Sequence, residues 1–334
     1  MEIISGQIID DAIYLATDLL EIAKKKEAKT DTAKKSQLAR LIKDLNAIKS
    51  TQKLTDQVIR IDSNKASAKM FRSIARQITK KGFSLIDYIG LKLLAVLSFI
   101  IRPVVLFVIK ERIRLASKGI INNALPRKLK KDLRRKRKQD IEININLLGE
   151  AVLGEEEADK RLNDLLTLME LEEVNYISVK ISAIVSQIVP EDFKGSCERV
   201  ANKLRLIYRK AIKHKCFVNL DMEEYKDFDI TLEVFKQLLL EDEFKNLYAG
   251  IVLQAYLPES HLAFDDLLLW SKDRFNKNGS KIKIRLVKGA NLAMERTEAE
   301  LHGWNPAPYR TKEEVDASYS RLINIALNEK TLNR

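Results

Sequence analysis

The sequence predicts an α/β protein in which a parallel sheet, closed or open, follows an α-helical N-terminal part. Three observations carry this expectation. Short apolar runs ending in polar residues recur in the second half: Tyr176-Ile-Ser-Val-Lys-Ile181, Phe217-Val-Asn-Leu-Asp221, Gly250-Ile-Val-Leu-Gln-Ala-Tyr256 and Lys281-Ile-Lys-Ile-Arg-Leu-Val-Lys288. Helix-length segments at residues 191–213, 231–239 and 261–275 separate them, and alternating strand and helix is the pattern of a parallel sheet. Residues 1–140, by contrast, carry apolar residues at helical spacing with few glycines or prolines.

In residues 8–28 one face collects Ile8, Ile9, Ala12, Leu15, Ala16, Leu19, Leu20 and Ala23, and residues 38–61 repeat the pattern. Two amphipathic helices are expected there. Residues 91–109 form the most apolar segment, interrupted by Arg102-Pro103. Neither uninterrupted run approaches the roughly 20 residues that cross a bilayer, so a pair of buried helices broken at Pro103 is expected. The other reading is a monotopic surface element whose apolar face is flanked by cations.

Next comes a dense basic run, Arg127-Lys-Leu-Lys-Lys-Asp-Leu-Arg-Arg-Lys-Arg-Lys138. It reads as a solvated connector, or as a contact for nucleic acid or anionic lipid. Ile141-Glu-Ile-Asn-Ile-Asn-Leu-Leu148 alternates apolar and polar residues and is the expected first strand, followed by a helix over 155–171 with glutamates in its first turn. The expected division is a basic helical arm and domain at 1–140 and a βα part at 141–334.

Charge follows the same division. Residues 1–140 hold 32 Lys and Arg against 14 Asp and Glu, a net of +18, and the rest hold 27 against 33, a net of −6. Cys197 and Cys216 have no pairing or metal spacing, and the opening Met1-Glu-Ile-Ile-Ser-Gly lacks a signal-peptide pattern, so a reduced, cytoplasmic protein is expected. His214, His261 and His302 share no ligand spacing. Glu223 and Glu224 read as solvated loop carboxylates, since no histidine or metal spacing accompanies them. Neither GxGxxG nor a P-loop occurs. Arg285, Lys288 and Gly289 end the last apolar run, where βα enzymes place functional side chains, and two cations beside a glycine suit an anionic ligand.

Four phrases, Ile177-Ser-Val-Lys-Ile-Ser182, Asn219-Leu-Asp-Met-Glu-Glu-Tyr225, Ile251-Val-Leu-Gln-Ala-Tyr-Leu-Pro258 and Ile284-Arg-Leu-Val-Lys-Gly-Ala-Asn-Leu-Ala-Met-Glu295, come in order and at βα spacing. At these residues the chain resembles the proline dehydrogenase domain of the bifunctional proline utilisation A (PutA) flavoproteins, from about Leu148 to Ser320. Leu148-Gly-Glu-Ala151 resembles the end of that family's first strand. The resemblance implies part of a distorted (βα)8 TIM-like barrel, about five βα units behind a helical arm, that binds FAD and oxidises L-proline to 1-pyrroline-5-carboxylate.

By the same resemblance, Arg285 sits at the flavin N5 and O4 region, Gln254 lies along the isoalloxazine edge, and Val287, Lys288 and Gly289 approach the flavin and its diphosphate. Lys180 and Asp221 line the proline pocket, Asp221 holding the lysine. Asn291 stands at the substrate, where many members of the family have Tyr. The family implies a quinone or other electron acceptor and a cytoplasmic location with peripheral association at the inner membrane. Transcriptional repression and nucleic-acid binding are not expected.

Five strand candidates against the eight of such a barrel, and no aldehyde dehydrogenase half, lead to the expectation of an N-terminal piece of a longer reading frame, inactive by itself. Two other readings stay open. One is a non-enzymatic remnant whose basic helical part binds membrane or nucleic acid. The other is a different βα-barrel enzyme that uses Lys180, Asp221 and Arg285 on another substrate, with Lys180 as a Schiff base.

Overall fold

The computed structural model describes residues 6–26, 39, 43–58, 61, 63–116, 126–147 and 152–328. Two compact units divide the chain, Met1–Asn122 and Asn123–Arg334.

The first unit contains helices Gly6–Lys26, Leu45–Lys53, Asn64–Gln77, Leu85–Leu97 and Arg102–Ala116, with a π-helical turn at Leu54–Val58. Three of them begin at side-chain caps: Asp44, Ser63 and Ser84 accept hydrogen bonds from the N–H groups of Asn46, Ala66 and Asp87. Phe71, Ile74, Ala75 and Ile78 from Asn64–Gln77 and its end meet Leu54, Val58, Val105, Leu106 and Ile109 in one core. The helix expected over 38–61 is found from Leu45, while most of 27–42 lies outside the described residues.

The break at Pro103 is where the sequence places it. Pro103 is the second residue of its helix, where a missing N–H costs nothing. The burial expected for this pair holds only in part: Val105, Leu106 and Ile109 of the second helix are buried. Helix Leu85–Leu97 has no buried residue. Ile86 is 83% and Ile100 81% exposed, and Ile89, Leu93, Val96, Phe99, Val104 and Phe107 are exposed as well. The reason is geometric: apolar side chains surround helix Leu85–Leu97 and the first turns of Arg102–Ala116 on more than one side, but only one side faces the Phe71 core. No described helix is long and apolar enough to cross a membrane.

The second unit opens with helix Pro126–Arg137 and continues through β1 (Ile145–Asn146), β2 (Tyr176–Lys180), β3 (Phe217–Asp221), β4 (Ala249–Gln254) and β5 (Ile282–Val287). Helices Glu155–Leu168, Phe193–His214, Phe228–Leu240 and Ser260–Asn276 connect successive strands, and Leu292–His302 and Lys312–Asn328 follow β5. All pairings are parallel and the strands lie in chain order. A parallel sheet wound in one direction by right-handed crossovers keeps its helices on one face, as a barrel does.

The strand register shows the same asymmetry. Ile145, Ile177, Val218, Ala249 and Ile282 stand side by side, then Asn146, Ser178, Asn219, Gly250 and Lys283, then Val179, Leu220, Ile251 and Ile284. Since alternate residues point to opposite faces, one face is apolar and the other polar. The apolar face joins the helices in a core with Leu204, Ile207, Phe235, Leu238, Phe264 and Leu267. A parallel sheet covered on both sides would be apolar on both, so the polar face belongs to the inside of a curled sheet. Gly250 is needed in the polar row because a Cβ there would meet Asn219 Oδ1 at 2.7 Å.

Two expectations change. The basic run, expected as a solvated connector, keeps most of its cations exposed but is an amphipathic helix: Leu129 and Leu133, four residues apart, are buried in the strand core, and Arg134 binds Glu173 at 2.7 Å. The first strand, expected over 141–148, pairs among the described residues only at Ile145 and Asn146, and the phrase Leu148-Gly-Glu-Ala151 lies outside them. Arg274, a surface position by residue type, is 2% exposed. Its Nε donates to Leu239 O and its Nη2 to the carbonyls of Phe244, Lys245 and Leu247, tying the approach to β4 to helix Ser260–Asn276. Both cysteines are buried and free, and burial pushes their thiols up to about 11.

Candidate active site

The polar residues singled out in the sequence collect at the C-terminal ends of the strands. Lys180, Asp221, Gln254 and Val287 are the last residues of β2, β3, β4 and β5, and Lys180 stands beside Asp221 in register. Strand ends carry side chains here because parallel pairing brings every C-terminus to one edge.

Asp221 is the most heavily used acceptor. Its Oδ1 accepts from Arg285 Nη2 at 2.5 Å, Asn219 Nδ2 at 2.8 Å and Ser178 Oγ at 3.1 Å, while Oδ2 accepts from Asn146 Nδ2 at 3.4 Å. Ser178 is buried and itself accepts from Asn144 Nδ2 at 2.8 Å. Four strands thus converge on one carboxylate. The pairing of Asp221 with Lys180 is not formed: Asp221 is filled by these donors, and Lys180 Nζ reaches past it to Glu223 Oε1 at 2.6 Å.

Glu223 is the residue that sequence reasoning passed over as solvated. Besides holding Lys180, its backbone carbonyl accepts from Asn291 Nδ2 at 3.1 Å, Gln254 Nε2 at 3.3 Å and Tyr256 Oη at 3.3 Å. Its place two residues beyond a strand-ending Asp, in a βα loop, is the one signal that could have marked it. Tyr225 fixes the same loop, its N–H donating to Glu295 Oε1 at 2.8 Å and its hydroxyl to Glu259 Oε1 at 3.2 Å. Burial, and then the charges of Glu224 and Glu298, raises the Glu295 carboxyl.

Beyond the strand ends the β4–β5 ladder continues, Ala255 N–H donating to Val287 O at 2.7 Å and Tyr256 N–H to Lys288 O at 2.9 Å. Gly289 then turns with φ +112°, and a Cβ on it would lie 2.5 Å from the Tyr256 ring. The glycine is therefore set by Tyr256 as well as by the backbone. Lys288 points elsewhere, its Nζ 2.5 Å from Asp316 Oδ1 on helix Lys312–Asn328.

Buried polar atoms around this cluster that lack a hydrogen-bond partner among the described residues are Gln254 Oε1, Arg285 Nε, Asn219 Oδ1, Asn144 Oδ1 and Glu259 Oε2, and the first two stand on the adjacent strands β4 and β5. A hollow of about 600 Å³ lies beside β1 and β2, lined by Asn146, Ser178, Lys180, Leu165, Leu168 and Ile184. It reaches Lys180 but not Asp221, Gln254 or Arg285. Among the described residues no group of His, Cys, Asp and Glu could hold a metal ion.

Comparison with known proteins decides the family. The proline dehydrogenase family profile matches residues 129–333. The chain belongs to the proline dehydrogenase family. The proline dehydrogenase of Deinococcus radiodurans is 31% identical over 186 residues, which cover 54% of this chain and 51% of that protein. Proline dehydrogenase 2 of Bacillus subtilis is 27% identical over 195 residues, 57% of this chain and 54% of the relative. Among solved structures, PutA from Corynebacterium freiburgense is 48% identical with a TM-score of 0.60, covering 62% of this chain and 22% of that one. PutA from Bdellovibrio bacteriovorus, inactivated by N-propargylglycine, is 28% identical with a TM-score of 0.70 over 89% of this chain and 30% of its own. The chain spans about half the length of these curated relatives. The family match begins inside helix Pro126–Arg137, which packs with the strands.

Proposed function

We propose that this chain carries the strand-end site of an FAD-dependent proline dehydrogenase, which oxidises L-proline to 1-pyrroline-5-carboxylate by hydride transfer to flavin N5. The observation that supports it best is the Asp221–Arg285 pair beside Gln254, with Arg285 Nε and Gln254 Oε1 buried and unpartnered. A donor and an acceptor held in place on adjacent parallel strand ends fit the polar edge of a flavin. FAD, when bound, supplies the two-electron acceptor.

In this reading Arg285, fixed by Asp221, offers a positive charge to the ring edge, and Gln254 offers its amide oxygen. Val287, Lys288 and Gly289 lie along the cofactor, Lys288 after release from Asp316. Lys180 faces the proline carboxylate and Asn291 bounds the pocket. Asp221 acts by positioning Arg285. A quinone or another electron acceptor takes the electrons onward. Among the described residues β1 and β5 each pair on one side only, which leaves both edges of the sheet open to further strands. The test is anaerobic: the chain is mixed with FAD, freed of excess, and titrated with L-proline. Retained flavin absorbance that proline bleaches supports the proposal, and a colourless protein ends it.

A second reading concerns location. The exposed apolar side of helices Leu85–Leu97 and Arg102–Ala116, with Arg102 at its turn and exposed Lys80 and Lys81 just before it, supports peripheral attachment to an anionic inner-membrane surface of an otherwise cytoplasmic protein. Sedimentation with vesicles containing anionic lipid, abolished in Ile86→Glu/Phe107→Glu, is the expected result. Equal sedimentation of the variant rules it out.

A further inference from the structure

The ion pair of Lys180 and Glu223 joins two unequally held partners. Lys180 ends strand β2 and its side chain is 15% exposed, whereas the Glu223 side chain is 42% exposed. The Glu223 backbone is fixed by the three donors on its carbonyl, from Gln254, Tyr256 and Asn291, so the carboxylate can rotate away without the loop moving. Asp221, the other carboxylate beside Lys180 in register, is committed to Arg285, Asn219 and Ser178. Lys180 therefore has one carboxylate in hand, and it is the displaceable one.

We propose that Glu223 is a specificity-determining residue of this site: it occupies Lys180 in the free protein as an internal stand-in for a ligand carboxylate, and an incoming amino-acid carboxylate must displace it. The proposal rests on the reading of the site as a proline site. A ligand without a carboxylate gains nothing by displacing Glu223, and a ligand with one exchanges one ion pair for another of similar kind. The competition lowers affinity for carboxylates by about the worth of a partly exposed ion pair, roughly threefold to fivefold.

The experiment measures anaerobic calorimetric binding of L-proline and of L-prolinamide to the FAD-loaded chain whose flavin has been reduced beforehand, so that no oxidation follows binding, for wild type, Glu223→Gln and Glu224→Gln. Glu224 is the control, since it pairs with Lys226. Expected is proline binding about threefold to fivefold tighter in Glu223→Gln, with prolinamide binding unchanged and Glu224→Gln like wild type for both. Melting temperatures of the three proteins show whether they are equally folded. Proline affinity in Glu223→Gln that is unchanged or weaker overturns the role of Glu223, as does an equal gain for both ligands. A wild type that binds FAD but no proline overturns the reading of the site itself, and with it this proposal. If Glu223→Gln melts early, Glu223→Met provides the same comparison, and its outcome counts in the same way.

Discussion

Arg285 on β5 reaches across β4 to Asp221 on β3, Nη2 to Oδ1 at 2.5 Å, so the two charges join strands that are not neighbours in the sheet. Asp221 also takes Asn219, Ser178 and Asn146. Replacing it by Asn keeps the shape but removes the charge and turns part of the acceptor into a donor facing donors. Asp221→Asn is expected to lower unfolding stability by about 1–2 kcal/mol in urea titrations and FAD affinity by about tenfold. Unchanged flavin affinity contradicts the positioning role.

Gly289 holds φ +112° against the Tyr256 ring. An alanine meets both a strained backbone and a ring that the β4–β5 ladder keeps in place. Gly289→Ala is expected to cost about 1–3 kcal/mol by chemical denaturation. Combining it with Tyr256→Ala should recover part of the loss, because only the steric component is relieved.

Arg274 satisfies four carbonyls from inside the core. Arg274→Met keeps the apolar stem but leaves those carbonyls unpaired, at a cost of about 3 kcal/mol or more. The measured variable is again unfolding midpoint, and a loss below about 1 kcal/mol shows that water reaches the carbonyls instead.

Asp227 gives a pH dependence. Burial, then the nearby Glu224, Glu295 and Glu223 charges, pushes its carboxyl up to about 7 from an ordinary 3.8, with Lys226 opposing. It is 3% exposed, and its Oδ1 has no partner among the described residues. The folded chain thus holds this proton more tightly than the unfolded one. That contribution is complete below about pH 4 and lost as pH rises through about 7. Wild-type melting temperature is expected to fall between pH 5 and 8 more than that of Asp227→Asn. Parallel profiles refute the assignment. Carboxylates held low, such as Glu155 by its hydrogen bond from Lys203, act in the opposite sense in both proteins and cancel in the comparison.

The strands from β2 onward were legible because each is a short β-prone run with a polar terminus, and their connecting helices because their apolar spacing is strong. β1 was overestimated: alternation over residues 141–148 signals extended backbone, but only Ile145 and Asn146 meet β2. The basic run was misread because charge density hid the i, i+4 leucines at 129 and 133 that anchor it. The hairpin of residues 85–116 was misread in part, since composition reports apolar surface without saying how much of it is covered: Val105, Leu106 and Ile109 are buried, while Ile86, Ile100 and Phe107 are exposed.

By itself, the order of residues determined which side chains stand at strand ends, because a period of two and parallel winding leave no freedom about which residue comes last. It thereby determined that Lys180, Asp221, Gln254 and Arg285 share one edge. Who pairs with whom was decided only in three dimensions. Asp221 took Arg285 and left Lys180 to Glu223, since ion pairs form between side chains whose reach and competition depend on neighbouring strands and loops, and sequence distance carries neither.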